Sequence, residues 1–144
     1  MYVSLMRTFV LTIIFTLTYT LTSAQGELDI TVNNIRKVTG SIMVGLFNNE
    51  KDFPKKAAEG KIVAVTGNSV TITFKDLNPA SYAISVIHDE NNNGKLDTNL
   101  LGIPKEGFAF GNNAIGTFGP PSFKNAQVTI DGSPVKNVIV LKHY

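Results

Sequence analysis

The chain has no cysteine and no tryptophan, and only two of its 144 residues are histidine. Without thiols there can be no disulfide, no thiolate zinc site, no thiol nucleophile and no N-terminal cysteine to carry a lipid. With so few histidines and no G-x-S-x-G segment, nucleophilic catalysis has little support. His88 directly precedes Asp89. Neighbours on a strand face opposite sides, so these two do not make a base–carboxylate pair. Charge of one sign is also scarce: the formal net charge is +2. Lys55-Lys56 is the only adjoining lysine pair, so no basic stripe is offered to nucleic acid. An enzyme is not expected on this inventory.

Long apolar runs are missing too, except at the amino terminus. There Arg7 precedes Phe9, Val10, Leu11, Ile13, Ile14, Phe15 and Leu17, and Thr22-Ser23-Ala24 follows. A basic head, a short apolar stretch softened by threonines and a small-residue cut describe a cleaved signal peptide over residues 1–24. The stretch is short for a transmembrane helix of ~20 residues. The expectation is an exported protein, periplasmic or secreted, with no transmembrane span in its mature part. Residues 25–144 then form one domain of ordinary β-sandwich size.

Period-two alternation dominates what remains. Leu28, Ile30 and Val32 alternate with Asp29, Thr31 and Asn33, and Ser41 to Phe47 alternates likewise. These two read as a hairpin. Asn48 to Gly60 reads as a solvated connection, with at most one helical turn near Lys55-Ala58. Ile62–Val65 and Val70–Lys75 read as a second hairpin across Gly67-Asn68. Tyr82 to Ile87 runs into His88-Asp89, and Ala126–Ile130 and Val135–Leu141 complete seven strands with no helix of any length. Seven short strands predict a single all-β, antiparallel Ig-like or transthyretin-like β-sandwich with Greek-key connections. Its core is expected from Ile30, Val32, Ile42, Val44, Leu46, Val63, Val65, Ile72, Phe74, Ile84, Val86, Val128, Ile130, Val138 and Val140. Between Asp89 and Asn125 alternation vanishes among glycines and prolines. A stretch that long inside a domain is functional or held down by its own side chains.

One part of it has the pattern of a cation loop. Asp89-Glu90-Asn91-Asn92-Asn93-Gly94-Lys95-Leu96-Asp97 fits D-x-N-x-N-G-x-x-D. Oxygens from positions one, three and five, the carbonyl at seven and a side chain at nine can converge on one point, and a glycine at six permits the sharp turn. The donors would be Asp89, Asn91, Asn93, the Lys95 carbonyl and Asp97, all hard oxygens that suit calcium. Position twelve is Leu100 and not a bidentate glutamate, so this is no EF-hand; Glu106 is the one carboxylate later in the loop. The competing reading is an Asn/Gly turn held by its own side chains. A hydrolase built on Asp89, Asp97 and Glu106 is the weakest alternative. The second feature is aromatic: Phe108, Phe110, Phe118 and Phe123 lie within the loop 100–124 region. They either plug the open end of the sandwich or line a groove for a small molecule, peptide or glycan. The lack of tryptophan weighs against a glycan.

The runs His88–Asn99, Leu101–Gly107, Gly111–Ala114 and Gly119–Phe123 resemble the bacterial family called domain of unknown function 2141, over about Leu28 to Leu141. The resemblance implies a secreted or periplasmic bacterial protein to which no activity is attached, whose partner is an unidentified protein or cell-envelope component. The strand Ser81–Val86 entering D-x-N-x-N-G is also similar to transthyretin-like and collagen-adhesin B-type modules. Those carry a Gly-x-Tyr turn where this chain has Ala80-Ser81-Tyr82, which loosens the kinship. The likeness implies a structural or binding role, and fold alone does not fix function.

Overall fold

A computed structural model describes residues 25–144; the expected signal peptide lies outside the described residues. Eight strands form two sheets. They are β1 (Gly26–Asn33), β2 (Ser41–Phe47), β3 (Glu59–Ala64), β4 (Val70–Leu77), β5 (Ala80–Asp89), β6 (Phe108–Phe110), β7 (Gln127–Ile130) and β8 (Val135–Val140). One sheet has the order β4-β1-β8; the other runs β3-β2-β5-β6, with β7 also paired to β5. The architecture is the expected all-β sandwich. One pairing departs from the antiparallel rule: β1 and β8, the first and last strands, run parallel from Leu28↔Val135 to Asn33↔Val140.

Neither expected hairpin forms. β1 pairs with β4 and β8, while β2 pairs with β3 and β5. The reason lies in the connections. Ile35, between β1 and β2, and Val65, just after β3, are both buried in the core. The Ile35 N–H donates to the Asn68 carbonyl and the Val65 N–H to the Gly40 carbonyl. Each connection therefore crosses from one sheet to the other and closes that end of the sandwich with an apolar side chain. A tight hairpin would leave both side chains in water, at a cost of about 1.5–3 kcal/mol each.

The inward faces follow the alternation in six of the seven expected strands. Leu28, Ile30, Val32, Ile42, Leu46, Phe74 and Ile84 form one buried cluster, and Val63 is partly buried against it. The exception is β8, where Ile139 and Leu141 are buried while Val138 and Val140 are 54% and 45% exposed. Val138 to Leu141 is apolar at every position, so the run carries no alternation from which the inward parity could be read.

β5 is the spine. β2 lies along one edge, from Ser41↔Asp89 to Phe47↔Ala83. The other edge is shared: β6 pairs at Ile87↔Phe108 to Ser85↔Phe110, and β7 resumes at Ala83↔Gln127. Residues 111–126 are thus an excursion that leaves one strand line and rejoins it. Gly111 makes this possible, because a Cβ there would lie 2.2 Å from the Ala126 carbonyl oxygen. The excursion holds a 3-10 turn (Gly111–Asn113) and one short helix, α1 (Phe123–Ala126), whose start is capped by the Ser122 side chain accepting from the Asn125 N–H. It displaces the expected strand start at Ala126 by one residue. Lys55–Ala58 forms turns only, around the bonds from Lys55 and Lys56 N–H to the Asp52 carbonyl.

Candidate functional site

Everything of chemical interest hangs from the end of β5 and the second edge of its sheet. Asp89 ends β5, and its buried carboxylate organises the loop that follows. Oδ1 accepts from the Asn93 N–H at 3.0 Å and Oδ2 from the Gly94 N–H at 2.7 Å. Gly94 has φ +80°, the left-handed turn foreseen for that position. Asn91 Oδ1 accepts from the Asn93 N–H, and Asn93 Oδ1 from the Lys95 N–H. The amide groups of Asn91 and Asn93 donate to the Asp97 carboxylate at 2.7 to 3.0 Å. The Asn93 amide first, and that of Asn91 next, hold the Asp97 pKa below the ordinary carboxylate value.

The sequence-predicted donors Asp89, Asn91, Asn93 and Asp97 are therefore gathered in one loop, and Lys95 enters through its N–H. A cation between them would require both amides to turn their oxygens toward Asp97's side, giving up two bonds to backbone N–H groups. Glu106 stands apart from this ring. It is buried, with Oε1 accepting from the Glu90 N–H at 2.9 Å and Oε2 from the Asp97 N–H at 2.8 Å, so it ties the two ends of the loop together. The side chain of Glu90 is largely covered and forms an ion pair with the exposed Lys37. Among the described residues no three His, Cys, Asp or Glu side chains are grouped as for a metal ion.

His88 is fully buried, and its Nε2 donates to the Thr39 carbonyl at 2.8 Å. That places it in the closed end of the sandwich and away from open surface. His143 is not at a frayed terminus: its Nε2 donates to the Asn34 carbonyl, and Lys142 pairs through its backbone with Phe108. This pairing joins the edge of one sheet to the edge of the other.

The phenylalanines do not plug the sandwich end. Ala109 points into the core, so Phe108 and Phe110 stand on the outer face of the five-stranded sheet. A chain of rings crosses that face: Tyr144 to Phe108 at 5.8 Å, Phe108 to Phe110 at 6.2 Å, Phe110 to Phe53 at 5.9 Å, and Phe53 to Phe47 at 5.2 Å. Phe123 meets Phe53 at 6.1 Å. Phe53 comes from the 48–60 connection, which is thus anchored and not merely solvated. Phe118 is fully exposed on the excursion.

Where the two sheet edges meet, a cleft of about 440 Å³ opens. Phe108, Phe110 and Val140 form its floor. One wall is the segment Leu96–Pro104, and the other is Asn113–Pro120. The first wall is a finger closed by Asn99. The Asn99 side chain accepts from the Leu101 and Ile103 N–H groups, and Asn99 N–H reaches the Ile103 carbonyl. Its tip presents Leu100 and Leu101 to solvent, as the excursion presents Ile115 and Phe118. The second wall is pinned by two asparagines in the left-handed region, Asn112 and Asn113. Asn112 pairs with Asn137 of β8 and donates to the Gln127 carbonyl. Asn113 donates to the Val138 carbonyl and accepts from the Val140 N–H, covering the free edge of β8 as a strand would. Among the described residues no Asp or Glu lines the cleft. The sequence reading held Asn112 and Asn113 within the glycine-rich stretch, Asn137 within the last strand and Val140 in the expected core, and gave no signal for Lys142 or Tyr144.

A family model described as an uncharacterized protein conserved in bacteria, domain of unknown function 2141, matches residues 30–137. No curated protein and no solved structure matches the chain. Among the described residues no helix is long and apolar enough to cross a membrane.

Proposed function

The chain belongs to the domain of unknown function 2141 family, conserved in bacteria, and on that premise we propose that it acts as an exported, non-catalytic binding module. Its ligand is a small molecule with an apolar body, taken into the cleft between the Leu96–Pro104 finger and the excursion. The observation that carries this reading is the cleft itself. It is a concavity of about 440 Å³ floored by Phe108, Phe110 and Val140, within the size range of small-ligand sites. Four exposed apolar side chains, Leu100, Leu101, Ile115 and Phe118, rise beside it. Apolar surface left in water on pinned loops is unfavourable unless something covers it. The carboxylates argue against hydrolysis, because Asp89 and Glu106 are held by backbone N–H groups and none faces the cleft. The test is titration with N-phenyl-1-naphthylamine, a neutral apolar fluorophore. Saturable enhancement is expected, and Thr98→Trp, which fills the cleft from an exposed position, should abolish it. Absence of saturation, or equal binding by the filled variant, would sink the reading.

A calcium brace is the second reading, favoured by the convergence of Asp89, Asn91, Asn93 and Asp97. Two carboxylates with two amides suit an affinity on the order of 10⁻⁴ to 10⁻³ M. At tenfold over such a dissociation constant, linkage stabilises the fold by about 1.4 kcal/mol. The unfolding midpoint should then rise with millimolar calcium in the native chain but not in an Asp89→Ala, Asp97→Ala double variant. An unchanged midpoint leaves the loop a self-sufficient polar turn. Export is tested by fractionation and N-terminal sequencing, with residue 25 expected as the new terminus.

A further inference from the structure

Resting on the binding reading above, we infer that the cleft takes a single-chain anionic amphiphile, with its apolar chain along Phe108, Val140, Ile103 and Ile115 and its carboxylate on Lys142. The charge inventory of the walls makes the choice. Among the described residues that line the cleft, Lys142 is the only one with a charged side chain. It is half-buried, and the ion pairs among the described residues, Lys37–Glu90 and Lys75–Glu27, do not include it. A half-buried ammonium beside apolar walls lacks part of its hydration, and an incoming anion restores what was lost. Low-dielectric walls also concentrate the field of a lone charge.

The other polar groups narrow the class further. Asn113 lines the cleft, but both ends of its amide are already bonded to the backbone of β8. The one N–H and one lone pair that remain to it are fixed in direction by the bonds it already makes. Thr98, Thr117 and Tyr144 offer neutral side-chain hydroxyls. A ligand that suits this mainly apolar lining is apolar over most of its length, with one negative group at the Lys142 end. The Lys142 position is fixed by backbone pairing, its N–H and carbonyl bonding Phe108 at 2.8 and 3.1 Å. Exchanging its side chain leaves that framework intact.

The experiment uses three ten-carbon probes on the full chain: decanoate, 1-decanol and decylamine, each displacing N-phenyl-1-naphthylamine. Decanoate should bind about tenfold or more tightly than decanol, the scale of one charge-assisted contact, and decylamine should bind weakest. Lys142→Met should bring decanoate to the level of decanol, and Lys142→Glu should invert the order, with unchanged thermal midpoints in both. Equal binding of decanoate and decanol by the native chain, or a preference that survives Lys142→Met, would overturn the anionic class while leaving the cleft a site. If no probe displaces the fluorophore, and the fluorophore itself does not saturate, both readings fall.

Discussion

The Asp89–Asp97 loop and the cleft walls begin a few residues apart, yet they treat their surface in opposite ways. In the loop the polar side chains close on themselves. Asp89 caps two N–H groups, the Asn91 and Asn93 amides close on Asp97, and Glu106 binds both ends. Around the cleft, hydrogen bonds pin the backbone as well, but there they hold apolar side chains out in water. The loop most like a known ion motif has its own internal partners, whereas the segments with no motif at all leave surface without one. Recognition is to be sought where the fold leaves interactions unmade.

That contrast can be broken by exchanging stability for binding. The largest effect is expected at Glu106→Ala, which leaves the Glu90 and Asp97 N–H groups without their charged acceptor. Urea unfolding should show a loss of about 2–4 kcal/mol, with fluorophore affinity changing far less. Asn113→Ala uncovers the edge of β8 and should cost about 1–2 kcal/mol, while loosening the second wall and weakening fluorophore binding as well. Leu100→Ser with Leu101→Ser should leave stability within about 0.5 kcal/mol of the native chain and lower affinity for apolar probes. If instead the leucines matter for stability and Glu106 for binding, the two regions have been assigned the wrong way round.

The smallest effect is in pH. Because the amides depress the Asp97 pKa, its contribution is complete above the ordinary carboxylate value and is lost as pH falls through the depressed one. Asp97→Asn should therefore lower stability slightly at neutral pH, meet the native curve in acid, and so flatten the acid limb of a stability–pH profile. An identical acid limb in the variant would mean that the amide contacts do not discriminate the ionised form.

The alternation of Leu28–Asn33, Ser41–Phe47 and Val70–Lys75 made the strands and their inward faces legible, because a half-buried strand must separate its two sides. It could not reveal neighbours. The same pattern is written whether β1 pairs with β2 or with β4, and only the burial of Ile35 and Val65 decides. β8 lost even its parity, since Val138 to Leu141 is apolar throughout. β6 escaped notice at three residues among glycines. In the site, D-x-N-x-N-G was readable because it is local. The Glu106 tie, the Asn113 cover and Lys142 were not, because each acts between segments that only the finished fold brings together.

The parallel pairing of β1 with β8 sets the tempo of folding. These strands lie more than a hundred residues apart in the sequence, and Ile30 and Val32 have no neighbour on that side until Asn137 and Ile139 arrive. Contacts of such separation slow two-state folding toward the millisecond-to-second range typical of all-β domains. A chain emerging amino end first keeps β1 open along one edge until its final strand is free. Deleting residues 135–144 should thus remove the last step of assembly and yield a collapsed but incomplete sandwich, detectable as lost amide protection along β1.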